Sequence, residues 1–302
     1  MFFKYKALQF EAKPTAPDAV YAAKLQELLG GAYGEMTVAM QYLFQGWNCR
    51  VPGKYKDLIL DVGTEELAHV EMISIMIARL LEGAPAETTA KACGDNPILA
   101  AVVGGSNPAQ AIVSGGGPLL TDSAGQAWSG KYIVASGNLF ADFHANATAE
   151  MQGIMQATRL YNMTDDPGVR EMLRFNIARD TMHQNMWLAA LAELRADGLE
   201  DLPVPSEHPF DERNLEHAYE FQNMSEHVQS AEGSWASGTT PDGKGEFTWS
   251  PNVQPATGEP EPPMSDPLLY ATAPPTGKAP VAEPGKAPTT GGLIAKVKDA
   301  LS

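Results

Sequence analysis

The sequence predicts an all-α protein: an antiparallel four-helix bundle with a long crossover and an extended C-terminal arm. Four stretches repeat apolar residues at three- and four-residue steps, which is the helical period. The break between the third and fourth, 163–166, is short enough to make those two helices antiparallel neighbours. Between the second and third, and again after the fourth, the text turns to small residues, Gly and Pro, where no long regular element is expected.

The first helix is expected over 18–47, on the apolar series Val20, Leu25, Leu28, Met36, Met40 and Leu43. Gly30, Gly31 and Gly34 cost helix propensity in its middle, so they mark either a break or a place where another backbone comes close. The second helix, 55–81, follows the stop-and-start signal Val51-Pro52-Gly53 and ends at Gly83 and Pro85. Residues 83–134 form the crossover, long enough for short strands or hairpins. The third helix covers 136–162. Thr164-Asp165-Asp166-Pro167 then supplies an N-cap and a first-turn proline for the fourth, 167–196. A short helix is expected over 212–227. The remaining Pro-, Gly-, Ala- and Thr-rich text builds no core of its own, and is either a flexible end or an arm laid over a neighbouring subunit. The organisation is therefore a bundle over 1–200 that includes the crossover, and a largely non-helical region over 201–302.

Composition limits the function classes. The 302 residues are 44% hydrophobic, enough for a sizeable core, which excludes a wholly disordered chain. With 37 acidic against 21 basic residues the net charge is -16, which argues against bulk attraction to phosphate backbones or anionic lipid. No nucleic-acid partner is expected. Cys49 and Cys93 stand in no Cys/His cluster and read as free thiols of a reducing cytosol. No stretch of 18 uninterrupted apolar residues suggests a membrane span, so a cytoplasmic location is the expectation.

Chemistry is concentrated where ionisable groups interrupt apolar helical text. Glu35 lies in GAYGEMTVAM, Glu66 and His69 in DVGTEELAHVEM, Glu150 in NATAEMQGIM and His183 in ARDTMHQNMW. Charges rarely tolerate a core without a partner or a metal. Glu66 and His69, at i and i+3, leave one helix face together and can meet a common ion. A lone Glu-x-x-His is common by chance, a lone histidine is usually a satisfied core residue, and Glu150 alone reads as a rim residue. One carboxylate on each of three helices, with histidines on the second and fourth, is a much narrower pattern, and it matches the way bundle cores build paired metal sites.

Asp180 repeats the i, i+3 relation with His183 but is one methylene shorter than a glutamate, so its expected task is to orient a histidine or hold a water. Tyr42, two turns beyond Glu35 on the same face, reads either as a hydrogen-bond donor to a ligating carboxylate or as an ordinary buried tyrosine. Glu65, Glu71 and Glu171 read as solvated or helix-pairing residues, and Met36, Met40, Met72, Met76, Met151 and Met155 as core packing.

These segments together resemble the non-haem manganese catalases. The likeness lies in Glu35 in its GxxGE context, the EExxHVEM stretch, Glu150 followed by RLYNMTDDPGVREML, ARDTMH ending at His183, and the later FQNMSE and EGSWASG, so that it spans roughly residues 1 to 250. The resemblance implies a ferritin-like bundle holding two manganese ions per subunit in a homohexamer that acts on hydrogen peroxide. Glu35 and His69 would bind one ion, Glu150 and His183 the other, and Glu66 would bridge them, with Tyr42 hydrogen-bonding behind the ligands. It also implies a structural calcium at Asp57, Asp61, Asn223, Ser225 and the carbonyl of His227, where relatives often carry glycine in place of the histidine. Ala149 stands where some members have an arginine that narrows the approach to the metals, which implies a more open entrance here. The C-terminal arm resembles arms that wrap adjacent subunits.

Ligand type alone leaves manganese and iron both open. A di-iron oxidase or iron-storage protein, and a non-catalytic helical assembly, are the competing readings.

Overall fold

The computed structural model describes residues 7–51, 53–83, 107–199, 220–222, 236–240, 243 and 245–250. Its helices are α1 (Ala19–Gly30), α2 (Glu35–Asn48), α3 (Lys54–Leu80), the short α4 (Pro108–Ile112), α5 (Leu139–Tyr161) and α6 (Pro167–Ala196), with a 3-10 turn at Gly130–Tyr132. The fold is the predicted helical bundle. α2 packs along α3 and α5 along α6, while α1 lies against α3.

The single helix expected over 18–47 is two helices, and both readings of its glycines hold. The chain breaks between Gly31 and Gly34, and another backbone does come close: a Cβ on Gly30 would clash with the carbonyl oxygen of Thr121 in the crossover. Gln26 fastens the same contact, donating to the carbonyls of Leu119 and Thr121 and accepting from the Leu119 amide. α6 starts as its sequence dictates, with Pro167 in the first turn and the Asp166 carboxylate accepting from the amides of Gly168 and Val169.

Two apolar cores lie along the bundle. One gathers Leu25, Leu28, Met72, Ile73, Met76, Ile77, Ala157, Met172 and Leu173; the other gathers Val38, Tyr42, Ile59, Phe143, Trp187, Leu191 and Leu194. Each large side chain buried in this way stabilises the fold by about 1.5–3 kcal/mol. α3, α5 and α6 each contribute to both cores, so the middle turns of these helices lie between them. Met72 and Met76 are core as expected, but Met151 and Met155 are exposed, because they fall on the α5 face opposite Glu150 and Ala157.

Residues 214–302 form a second compact unit. In it β1 (Glu220–Gln222) pairs in parallel with β3 (Glu246–Ser250), which pairs antiparallel with β2 (Gly238–Thr239). Residues 220–222 are thus strand where a helix over 212–227 was expected: ladder partners on β3 take up backbone groups that a helix would have paired locally. Among the described residues no helix is long and apolar enough to cross a membrane. Cys49 is a buried free thiol, and Cys93 lies outside the described residues.

Candidate metal centre

Between the two cores four helices turn ionisable side chains toward one another. α3 contributes Glu66 and His69, α6 Asp180 and His183, α5 Glu150, and α2 opens on Glu35, whose negative charge suits a helix N-terminus. All are buried, with Glu66, His69 and His183 fully so.

Glu66 is the centre of the arrangement. Its Oε2 lies 2.7 Å from His69 Nδ1 and its Oε1 2.7 Å from His183 Nδ1. At that separation none of these four atoms has hydrogen-bonding alignment with any partner. Donor atoms that crowd together without pointing at each other are converging on the space between them, as ligands do around a cation. Glu35 Oε2 is 3.5 Å and Asp180 Oδ1 3.7 Å from His69 Nδ1, and Glu150 Oε1 is 3.9 Å from His183 Nδ1. One carboxylate of α2 therefore keeps company with His69 and one of α5 with His183, while Glu66 touches both imidazoles. Ligand atoms of Glu66, His69, Asp180 and His183 all fall within 4.8 Å of one another. Carboxylate oxygens and imidazole nitrogens in this number suit manganese or iron.

A shell of donors fixes these groups. Tyr42 donates to Glu150 Oε1 at 2.5 Å, and the Trp187 indole approaches the same oxygen at 3.3 Å. Asn176 donates to Glu35 Oε1 at 2.8 Å and to Asp180 at 3.0 Å, tying α2 to α6 beneath the cluster. Glu65, expected to be solvated or pairing helices, does pair α3 with α6: it meets His183 Nε2 at 3.0 Å and is itself held by Arg179, with Gln9 donating from the N-terminal segment. Nothing near Glu65 in the sequence marks that role, because its partners lie more than a hundred residues downstream or at the N-terminus. Asn176 was legible in principle: it is the first polar residue in the buried stripe Val169, Met172, Leu173, Asn176, Asp180, His183 of α6. Glu71 and Glu171 are exposed.

The electrostatics are those of a site short of positive charge. Burial and the charge of Glu66 push Glu150 well above the ordinary carboxylate range and raise Glu35, and burial with Glu35 does the same to Asp180. Glu66 moves the other way: burial opposes its charge, but the two imidazoles hold its carboxyl below the usual range. Burial disfavours the proton on His183, yet Glu65 and Glu66 outweigh it and push the group up to about 10, and Glu66 and Glu35 raise His69 in the same sense. Burial and the Glu150 charge also raise Tyr42, keeping its hydroxyl a donor. Acids and bases this close stay buried by sharing protons, and a divalent cation answers the same charges by displacing them.

A cavity of about 460 Å³ is lined by Tyr33, Thr37, Gln41, Tyr132, His144 and Ala149 among others. Ala149 immediately precedes Glu150, so a longer side chain there would project into this space. Of the residues expected around calcium, Asp57 and Asp61 are exposed on α3, and Asn223, Ser225 and His227 lie outside the described residues.

Comparison with known proteins agrees with this geometry. The family described as manganese-containing catalase matches residues 1–288. The uncharacterized protein YjqC of Bacillus subtilis is 52% identical over 278 residues, covering 92% of this chain and 100% of that protein. A manganese catalase of the same organism is 51% identical over 274 residues, covering 91% of this chain and 99% of its own. A solved manganese catalase from Anabaena shares the fold, with a TM-score of 0.64 at 23% identity over 84% of this chain and 100% of that one. The chain, with its buried carboxylate between two imidazoles at the middle of a helical bundle, belongs to the manganese-containing catalase family.

Proposed function

We infer that this protein is a manganese catalase, converting two molecules of hydrogen peroxide to one of oxygen and two of water. The observation that carries the reading is Glu66, with each carboxylate oxygen against a different histidine and a further carboxylate beyond each. A manganese pair, when bound, supplies two-electron cycling between Mn(II)/Mn(II) and Mn(III)/Mn(III). Glu35 and His69 would hold one ion, Glu150 and His183 the other, and Glu66 would bridge them.

Peroxide oxidation releases two protons and two electrons with each oxygen, and peroxide reduction takes the same number back to give two waters. The chain's own task is to hold those protons between halves without surrendering them to solvent. Asp180, buried and fixed by Asn176 beside His69, is placed to take and return one at its carboxylate. Tyr42 and Trp187 keep Glu150 oriented throughout. Ala149 leaves the cavity wall open for a substrate as small as peroxide. The family resemblance further supports a catalytic bundle over 1–200, an arm over 201–302 that wraps neighbours in a homohexamer, a structural calcium at Asp57 and Asp61, and a cytoplasmic location.

The test is oxygen released per peroxide consumed by haem-free protein produced with ample manganese. One oxygen for every two peroxides is expected. Peroxide loss without oxygen points instead to an iron-oxidising or peroxidase-like protein, and no loss from metal-loaded protein to a non-catalytic assembly.

A further inference from the structure

Glu65 and Glu66 are consecutive on α3, yet they address opposite nitrogens of the same imidazole. Glu66 Oε1 meets His183 Nδ1 at 2.7 Å, and Glu65 Oε2 meets His183 Nε2 at 3.0 Å. The relation is not repeated for the other histidine. Glu65 Oε1 stops 3.8 Å short of His69 Nε2, beyond hydrogen-bond reach, and that nitrogen is a buried atom with no partner. Glu65 is fixed in this lopsided position from outside: Arg179 grips both of its oxygens at 2.6 and 3.1 Å, and Gln9, from the segment before α1, donates at 2.7 Å.

We propose that Glu65 is a positioning residue that makes the two metal positions unequal, so that the ion held by His183 and Glu150 binds more tightly than the ion held by His69 and Glu35. A carboxylate that accepts the outer N–H of a ligating imidazole fixes its tautomer and orientation and increases the donor strength of the inner nitrogen. Only His183 receives this support. The proposal rests on the dimanganese reading given above, and extends it to an order of filling and emptying.

The test is stepwise removal of Mn(II) from the manganese-loaded protein by a chelator, with metal content and the electron paramagnetic resonance signals of single and coupled ions followed together. The unaltered protein is expected to lose one ion before the other, passing through a species with one uncoupled Mn(II). Glu65→Gln, which removes the charge, is expected to weaken the tighter step by about 10- to 100-fold and bring the two steps together. Arg179→Gln, which leaves Glu65 in place but loosens it, is expected to weaken the same step by less, and keeps the test usable should the first variant not fold. Two indistinguishable steps in the unaltered protein, or equal weakening of both steps in folded variants, would overturn the role of Glu65. Unaltered protein that binds no coupled pair would overturn the dimanganese reading itself.

Discussion

The hydroxyl of Tyr42 lies 2.5 Å from Glu150 Oε1, a contact across 108 residues of sequence that joins α2 to α5 at the edge of the cluster. A phenol that donates to a buried carboxylate withdraws charge from it and fixes which oxygen faces the metals. Removing it leaves Glu150 only the longer bond from Trp187. Tyr42→Phe is therefore expected to lower kcat by about 10-fold while manganese content stays near two per subunit, the range seen when groups behind a metal ligand are lost. Metal analysis and oxygen evolution on the same preparation separate the two effects.

Glu66 and Asp180 are both buried carboxylates in the same cluster, but only Glu66 touches both imidazoles. Glu66→Ala is expected to abolish the magnetic coupling of the metal pair. Asp180→Ala is expected to keep most of the metal and lose most of the turnover. Loss of both ions from the Asp180 variant would move that residue into the set of ligands.

Loading the site is expected to release protons. In the metal-free protein His183 holds its proton up to about 10, while burial and the Glu66 charge raise Glu35 from its ordinary value and lift Glu150 well above its own. His183 must give up its proton to bind a cation, so manganese affinity is expected to rise with pH between 6 and 9. Titration calorimetry in buffers of different ionisation enthalpy measures the release; a heat that does not depend on buffer would contradict it. For the metal-free fold the sign is opposite. His183 has a folded value above its ordinary 6.5, so its ion pairs contribute fully below that pH and are lost as pH climbs toward 10.

Asp166 caps α6 and also accepts from the Thr15 amide at 2.7 Å, so one carboxylate secures a helix start and the N-terminal segment. Burial would raise it, but these backbone donors prevail and hold it below its ordinary value. Its folded value is depressed, so its contribution is present above the unfolded value and is lost as pH falls through the folded one. Asp166→Ala is expected to cost about 1 kcal/mol near neutrality. The difference from the unaltered protein is expected to shrink below pH 4. Denaturant midpoints at pH 7 and pH 3 check both parts.

Much of the site was legible because it breaks a pattern. Glu66, His69, Glu150 and His183 interrupt apolar helical periods, and a charge in a buried stripe demands a reason. Gly30 and Gly34 were legible for the same cause, although only the structure reveals Thr121 as the close neighbour. Glu65 was not, since a charge beside a buried charge on a helix has the look of a solvated face. Its meaning comes from Arg179 and Gln9, which tertiary folding alone brings near. Trp187 was hidden differently: an aromatic in a core stripe needs no explanation, and only its indole nitrogen sets it apart.

The two dry cores on either side of the cluster have a further consequence for the life of the enzyme. Both draw on α3, α5 and α6, and apart from Tyr42 and Trp187, which also hold Glu150, their side chains pack only against one another. The helices are thus pinned at both ends, like a rod held in two clamps with the working part between. Such a scaffold is expected to keep its helices in place when the metals leave, so that a molecule stripped during manganese starvation is recharged rather than rebuilt; an unchanged helical circular dichroism spectrum after chelation checks it.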